Sequence, residues 1–122
     1  VNDELSQLPP QVQERLLRLQ QLQQTLQSIL AQKQQVELEI TEIDQALSEL
    51  QKLTDEAVIY KAAGSLLIKA ERTKVTAELN DRKELLNARV TILGKQDERL
   101  RSQLKEIQAK LQQDLNPVST PT

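Results

Sequence analysis

The side chains of this sequence that could do chemistry are few in kind. Glu37, Glu39, Glu42 and Asp44 crowd one short stretch, and carboxylates so close together are the raw material of acid–base or metal chemistry. Nothing completes that set. The chain has no His and no Cys, which removes the usual general base, the commonest metal ligand and any thiolate nucleophile. No glycine-rich phosphate loop and no nucleophile with an adjacent base occurs. The chain therefore reads as a non-enzyme without cofactor or metal, and the four acids as a solvated helix face.

The second half is rich in cations, among them Arg72, Lys74, Arg82, Lys83, Arg89, Arg99, Arg101, Lys105 and Lys110. Such density would suit a phosphate backbone. These residues are interleaved with acids, however, and Tyr60 is the only aromatic that could stack on a base. Nucleic acid is not an expected partner.

What remains is apolar binding. Leu5, Leu8, Val12, Leu16, Leu17 and Leu19 near the start, and Leu104, Ile107, Leu111 and Leu115 near the finish, are more aliphatic groups than one narrow two-helix seam can hide. Burying one such side chain fully contributes about 1.5 to 3 kcal/mol, so one cluster binds weakly. Several clusters held on one body would hold an extended apolar chain, with no fixed sequence demanded. These ten residues are the candidate set for unfolded polypeptides.

The elements that must position them are legible. Phe, Trp, Met and Cys are absent, 28% of the 122 residues are charged, and only two are Gly, the composition of long helices packed along a seam. Pro9 and Pro10 hold the start extended. From there residues spaced three and four apart run through Val12, Leu19, Leu22, Leu26, Ile29, Val36, Ile40, Ile43, Leu47 and Leu50, with Arg15 and Lys33 as charged interruptions. A second seam runs from Val75 and Leu79 through Leu86, Val90, Leu93, Leu100, Leu104, Ile107 and Leu111, interrupted by Lys83 and Asp97. A pattern held over so many heptads predicts coiled coil.

Between the arms the helical period stops. Val58, Ile59 and Tyr60 favour an extended backbone, Leu66, Leu67 and Ile68 repeat the apolar run, and Gly64 can supply a positive φ between them. This is one β-hairpin, and alone in water it would be marginal. Its six apolar residues are the candidate assembly set, pairing with hairpins of other chains in a shared β body. The expected layout of 1–122 is a single domain: a helix over 10–56, the hairpin over 57–70, a helix over 72–115 and a disordered tail over 116–122.

Charge supports arm-on-arm pairing. Residues 1–56 hold four basic and ten acidic side chains, and residues 57–122 hold twelve and eight, so the arms are electrostatic complements. Two registers are open, with Ile40 facing either Leu86 or Leu93. In either one Lys33 and Asp97 come close enough on the seam to suggest an ion pair. No apolar run approaches the roughly 18 residues of a membrane span, and a soluble, cytoplasmic protein is expected.

The middle and second arm resemble a known family. Val58-Ile59-Tyr60-Lys61, Gly64, Leu66-Leu67-Ile68-Lys69, Glu78-Leu79, Asp81-Arg82-Lys83-Glu84 and Gln96-Asp97-Glu98-Arg99-Leu100 are similar to the β-type subunit of prefoldin. A single hairpin at the hinge also resembles the β class, whereas Gly94 departs from the bulkier or charged residue expected beside the seam. The resemblance implies a hexamer of two α-type and four β-type subunits, with a double β-barrel body built from the hairpins and six coiled-coil arms. It implies capture of unfolded proteins at the arm tips without nucleotide and delivery to a group II chaperonin. The competing expectation is a coiled-coil scaffold or tether that binds one native partner.

Overall fold

The computed structural model describes residues 7–116. Helix α1 spans Pro10–Gln51, strands β1 and β2 span Ile59–Ala63 and Leu66–Ala70, and helix α2 spans Arg72–Leu115. The molecule is mainly helical, with one two-stranded antiparallel hairpin between two long helices.

Proline starts α1. Pro10 occupies the first helical position, where its missing N–H is not needed, and the carbonyl of Pro9 accepts from the amides of Val12 (3.0 Å) and Gln13 (3.1 Å). The helix ends at Gln51, five residues before the boundary expected at 56. Two tight turns follow, Lys52 N to Glu49 O and Leu53 N to Leu50 O, both at 3.2 Å. Thr54 and Asp55 are weak helix formers, and Ala57 N turns back to Thr54 O at 3.0 Å. The backbone thus leaves the helix before the apolar doublet begins.

In the hairpin, Ala63 pairs with Leu66, which leaves a two-residue loop of Gly64 and Ser65. Gly64 has φ +62°, and no other described residue has a positive φ. A single positive φ at the first loop position is the II′ sense, whose twist matches that of the flanking strands.

The helices contribute to two compact units. One combines α1 through Gln32 with α2 from Leu93, and the other is Lys33–Ile92. The first buries Val12, Leu22, Leu93, Ile107 and Leu111, and the second buries Val36, Ile43, Ile59 and Leu86. Every buried side chain among the described residues is apolar.

Within each unit the helices run antiparallel, and ion pairs tie them across. In Lys33–Ile92, Arg82 Nη2 lies 3.1 Å from Glu39 Oε1 and Lys83 Nζ lies 2.5 Å from Asp44 Oδ1. These pairs select the register that sets Ile40 at the level of Leu86 rather than Leu93. In the other unit Arg15 pairs with Asp114. Asp97, the acid matched with Lys33 in the seam reading, accepts from Arg101 Nε at 2.6 Å, so its charge is met one turn further along its own helix.

Candidate functional site

Two surfaces combine apolar side chains with exposure. The first is the hairpin. Side chains alternate across a strand, so the observed register sends Ile59, Lys61, Ala63, Leu66, Ile68 and Ala70 to one face and Tyr60, Ala62, Leu67 and Lys69 to the other. On the first face Ile59 is 9% exposed and anchors the hairpin to its own subunit. Lys61 Nζ donates to Glu78 Oε2 of α2 at 2.7 Å and holds the same face. Leu66 and Ile68 lie open beyond them, and on the opposite face so do Tyr60 and Leu67, the last at 73%. Val58, just before β1, is exposed as well.

Of the six candidate assembly residues, then, five are open and Ile59 is closed. The sheet has only two strands, so the outer edge of each carries unpaired backbone groups, a template for another strand. The open face of Tyr60 and Leu67, the open end of the other face at Leu66 and Ile68, and two open edges make a surface suited to association.

The second surface lies in the unit formed by α1 through Gln32 and α2 from Leu93. The ten residues proposed for unfolded chains divide sharply there. Val12 and Leu111, each 5% exposed, and Ile107 at 9% are seam residues that hold the helix pair together. Leu8, Leu16, Leu19 and Leu104 are half-buried. Leu17 (60%) and Leu115 (59%) are open. Leu5 lies outside the described residues, as does the tail from 117 onward.

A surface groove of about 540 Å³ runs beside Leu17 and reaches Ile107, with Gln11, Glu14, Arg15 and Arg18 along its walls. Arg15 also borders a second groove lined by Arg18, Leu22, Ile107 and Lys110. Arg15 Nη1 donates to Asp114 Oδ2, and the two side chains are 23% and 20% exposed. This ion pair occupies a place on the seam that an aliphatic layer would otherwise fill.

Two of the four clustered acids are occupied by cations of the second half, and so is Asp55. Glu39 and Asp44 take Arg82 and Lys83, and Asp55 takes Arg72. All three pairs join an acid from the first half to a base from the second, as the charge split leads one to expect. Among the described residues no group of three or more His, Cys, Asp or Glu could hold a metal ion. No helix there is long and apolar enough to cross a membrane.

Sequence reasoning missed the role of Arg72. Its Nη1 donates to the carbonyls of Leu50 (3.2 Å) and Leu53 (3.3 Å), while Nη2 pairs with Asp55. The first residue of α2 thereby caps the last turn of α1 and fixes the path into the hairpin. No local signal marked it, because Lys69 and not Arg72 is the cation directly after the second apolar run. Also unflagged were Leu38, Leu85 and Ile92, all more than half exposed; they fall off the seam spacing and so face outward.

Comparison with known proteins extends the geometry. The family model described as prefoldin subunit matches residues 13–117. Prefoldin subunit beta of Archaeoglobus fulgidus is 45% identical over 113 residues, covering 93% of this chain and 97% of that protein. Prefoldin subunit beta of Thermococcus kodakarensis is 44% identical over 110 residues, 90% and 94% of the two chains. The crystal structure of the prefoldin beta subunit from Thermococcus strain KS-1 superposes with a TM-score of 0.81 at 41% identity, covering 93% of this chain and 97% of that one.

Proposed function

The chain belongs to the prefoldin family, and from that premise we propose that it is the β-type subunit of an ATP-independent cochaperone that captures unfolded proteins and delivers them to a group II chaperonin. Family membership carries a chaperone-type role and assembly with other prefoldin subunits. The finer reading divides the labour between two surfaces. Tyr60, Leu66, Leu67 and Ile68, with Val58 beside them, join hairpin to hairpin in a body of two α-type and four β-type subunits. The exposed aliphatic groups of the other unit hold client chains.

The observation that carries the capture reading is the exposure of Leu17 and Leu115 in a unit whose seam is otherwise closed by Val12, Ile107 and Leu111. Two open aliphatic groups per subunit bind weakly by area alone. Repetition on six arms raises the effective concentration and makes the sum useful. Half-buried Leu8, Leu16, Leu19 and Leu104 add surface beside Leu17 and Leu115. No nucleotide and no catalytic residue enters this mechanism.

The test is aggregation suppression by the chain assembled with an α-type partner, using several unrelated denatured proteins and no ATP. Suppression of all of them supports the reading. Binding confined to one native protein would instead identify a scaffold or tether.

A further inference from the structure

We propose that the Arg15–Asp114 ion pair is a latch that keeps Val12, Ile107 and Leu111 closed in the seam, and that its release adds these three side chains to the surface that holds unfolded chains. The proposal rests on capture at this end of the helix pair, the reading just given. Three observations carry it.

The first is placement. Arg15 lies between Val12 and Leu19 on the seam of α1, and Asp114 follows Leu111 by three residues on α2. The pair therefore sits among the buried residues, beside Val12 and Leu111 at 5% exposure and Ile107 at 9%.

The second is helix electrostatics. Asp114 is the penultimate residue of α2, where a carboxylate meets the negative end of the helix dipole. It destabilises its own helix and is stabilised by the cation across the seam. Arg15, in the second turn of α1, gains nothing from the positive end of that helix. These charges favour the closed pair and neither helix by itself.

The third is partial access to water. At 23% and 20% exposure, both ions can exchange each other for water more cheaply than a fully buried pair could. An aliphatic layer in the same place would hold the end shut. Two grooves already converge on Arg15 and Ile107, so the released seam would open into space continuous with Leu17.

The experiment compares four full-length proteins, each assembled with the α-type partner: wild type, Asp114→Lys, the double change Arg15→Leu with Asp114→Leu, and the swap Arg15→Glu with Asp114→Lys. Hydrogen exchange reads the amides of residues 104–111, with the hairpin amides of 59–70 as internal reference. Capture is read as light scattering of guanidinium-denatured lysozyme on dilution. Asp114→Lys is expected to speed exchange at 104–111 about tenfold and to lower the chaperone concentration needed for half suppression about threefold. The double leucine change is expected to slow exchange and weaken suppression at least threefold, and the swap to restore both.

Unchanged exchange in Asp114→Lys, or faster exchange with equal or poorer capture, would overturn the latch. A swap that behaves like Asp114→Lys would also overturn it, because the pairing itself would then be irrelevant. If wild type fails to suppress lysozyme aggregation, the capture reading falls and the gating claim with it. Exchange alone then decides whether the pair closes the seam.

Discussion

Arg72 Nη1 donates to the carbonyl oxygen of Leu50 at 3.2 Å, so the residue that opens α2 caps the residue that nearly closes α1. The last carbonyls of a helix have no partner within it. The same guanidinium also reaches Leu53 O and Asp55, and a single side chain thereby fixes the whole exit from α1. The hairpin is aimed by this contact and by the burial of Ile59.

Arg72→Met keeps the aliphatic stem and removes the donors. Hydrogen bonds to charged groups contribute about 1.5 to 3 kcal/mol when buried, and this side chain is about one quarter exposed. A loss of about 1 to 2 kcal/mol is expected, read as a lower thermal midpoint at fixed protein concentration. Arg72→Lys should recover only part of it, because a lysine lacks the fork that serves two carbonyls and a carboxylate together. A midpoint unchanged in Arg72→Met would show that the capping contacts add nothing.

Gly94→Ala should stabilise. A Cβ built at Gly94 meets nothing within 4 Å, and its φ lies outside the left-handed region. The gain expected from helix propensity is therefore close to its full value of about 1 kcal/mol. The denaturation midpoint should rise, and a fall would mean that α2 uses the glycine for something other than a place in the helix.

Two hairpin substitutions should have opposite signatures. Leu67→Asp places a charge on a side chain that is 73% exposed, so the isolated subunit should keep its helix content while the oligomer dissociates. Ile59→Ala empties a buried position and should cost the subunit itself about 2 to 4 kcal/mol. Native mass measurement and circular dichroism separate the two, and an intact oligomer in Leu67→Asp would remove that face from the assembly surface.

At the other surface, Leu17→Ser with Leu115→Ser should reduce suppression of aggregation severalfold and leave both the oligomer mass and the thermal midpoint unchanged. Val12→Ala should do the reverse to stability, lowering it by about 1 to 3 kcal/mol through a cavity in the seam. Equal loss of capture and stability in the double serine variant would mean that Leu17 and Leu115 are structural.

Much of the fold was legible because it rests on local rules. Pro10 suits the first position of a helix, Gly64 can supply the positive φ of a turn, and apolar residues at alternating three and four spacing from Val12 to Leu50 lie along one side of a helix. The charge split favours pairing of one arm with the other, and Glu39–Arg82 and Asp44–Lys83 follow its sense, whereas Arg15–Asp114 runs against it.

The site was less legible. Val12, Leu17 and Leu111 are all aliphatic and all near the ends, and composition ranks them alike. Seam spacing sets Val12 and Leu111 apart from Leu17, but only the packed helices show that the first two are closed and that Leu17 stays open.

The residue order alone thus determined two helices, a turn at Gly64, an apolar hairpin and the family likeness, since each follows from neighbours a few positions apart. The tertiary structure decided the register of Ile40 with Leu86, the Arg72 cap and the Arg15–Asp114 pair. Those depend on distances between residues tens of positions apart, and such distances are set only when the arms pack and each side chain competes for a place in one narrow seam.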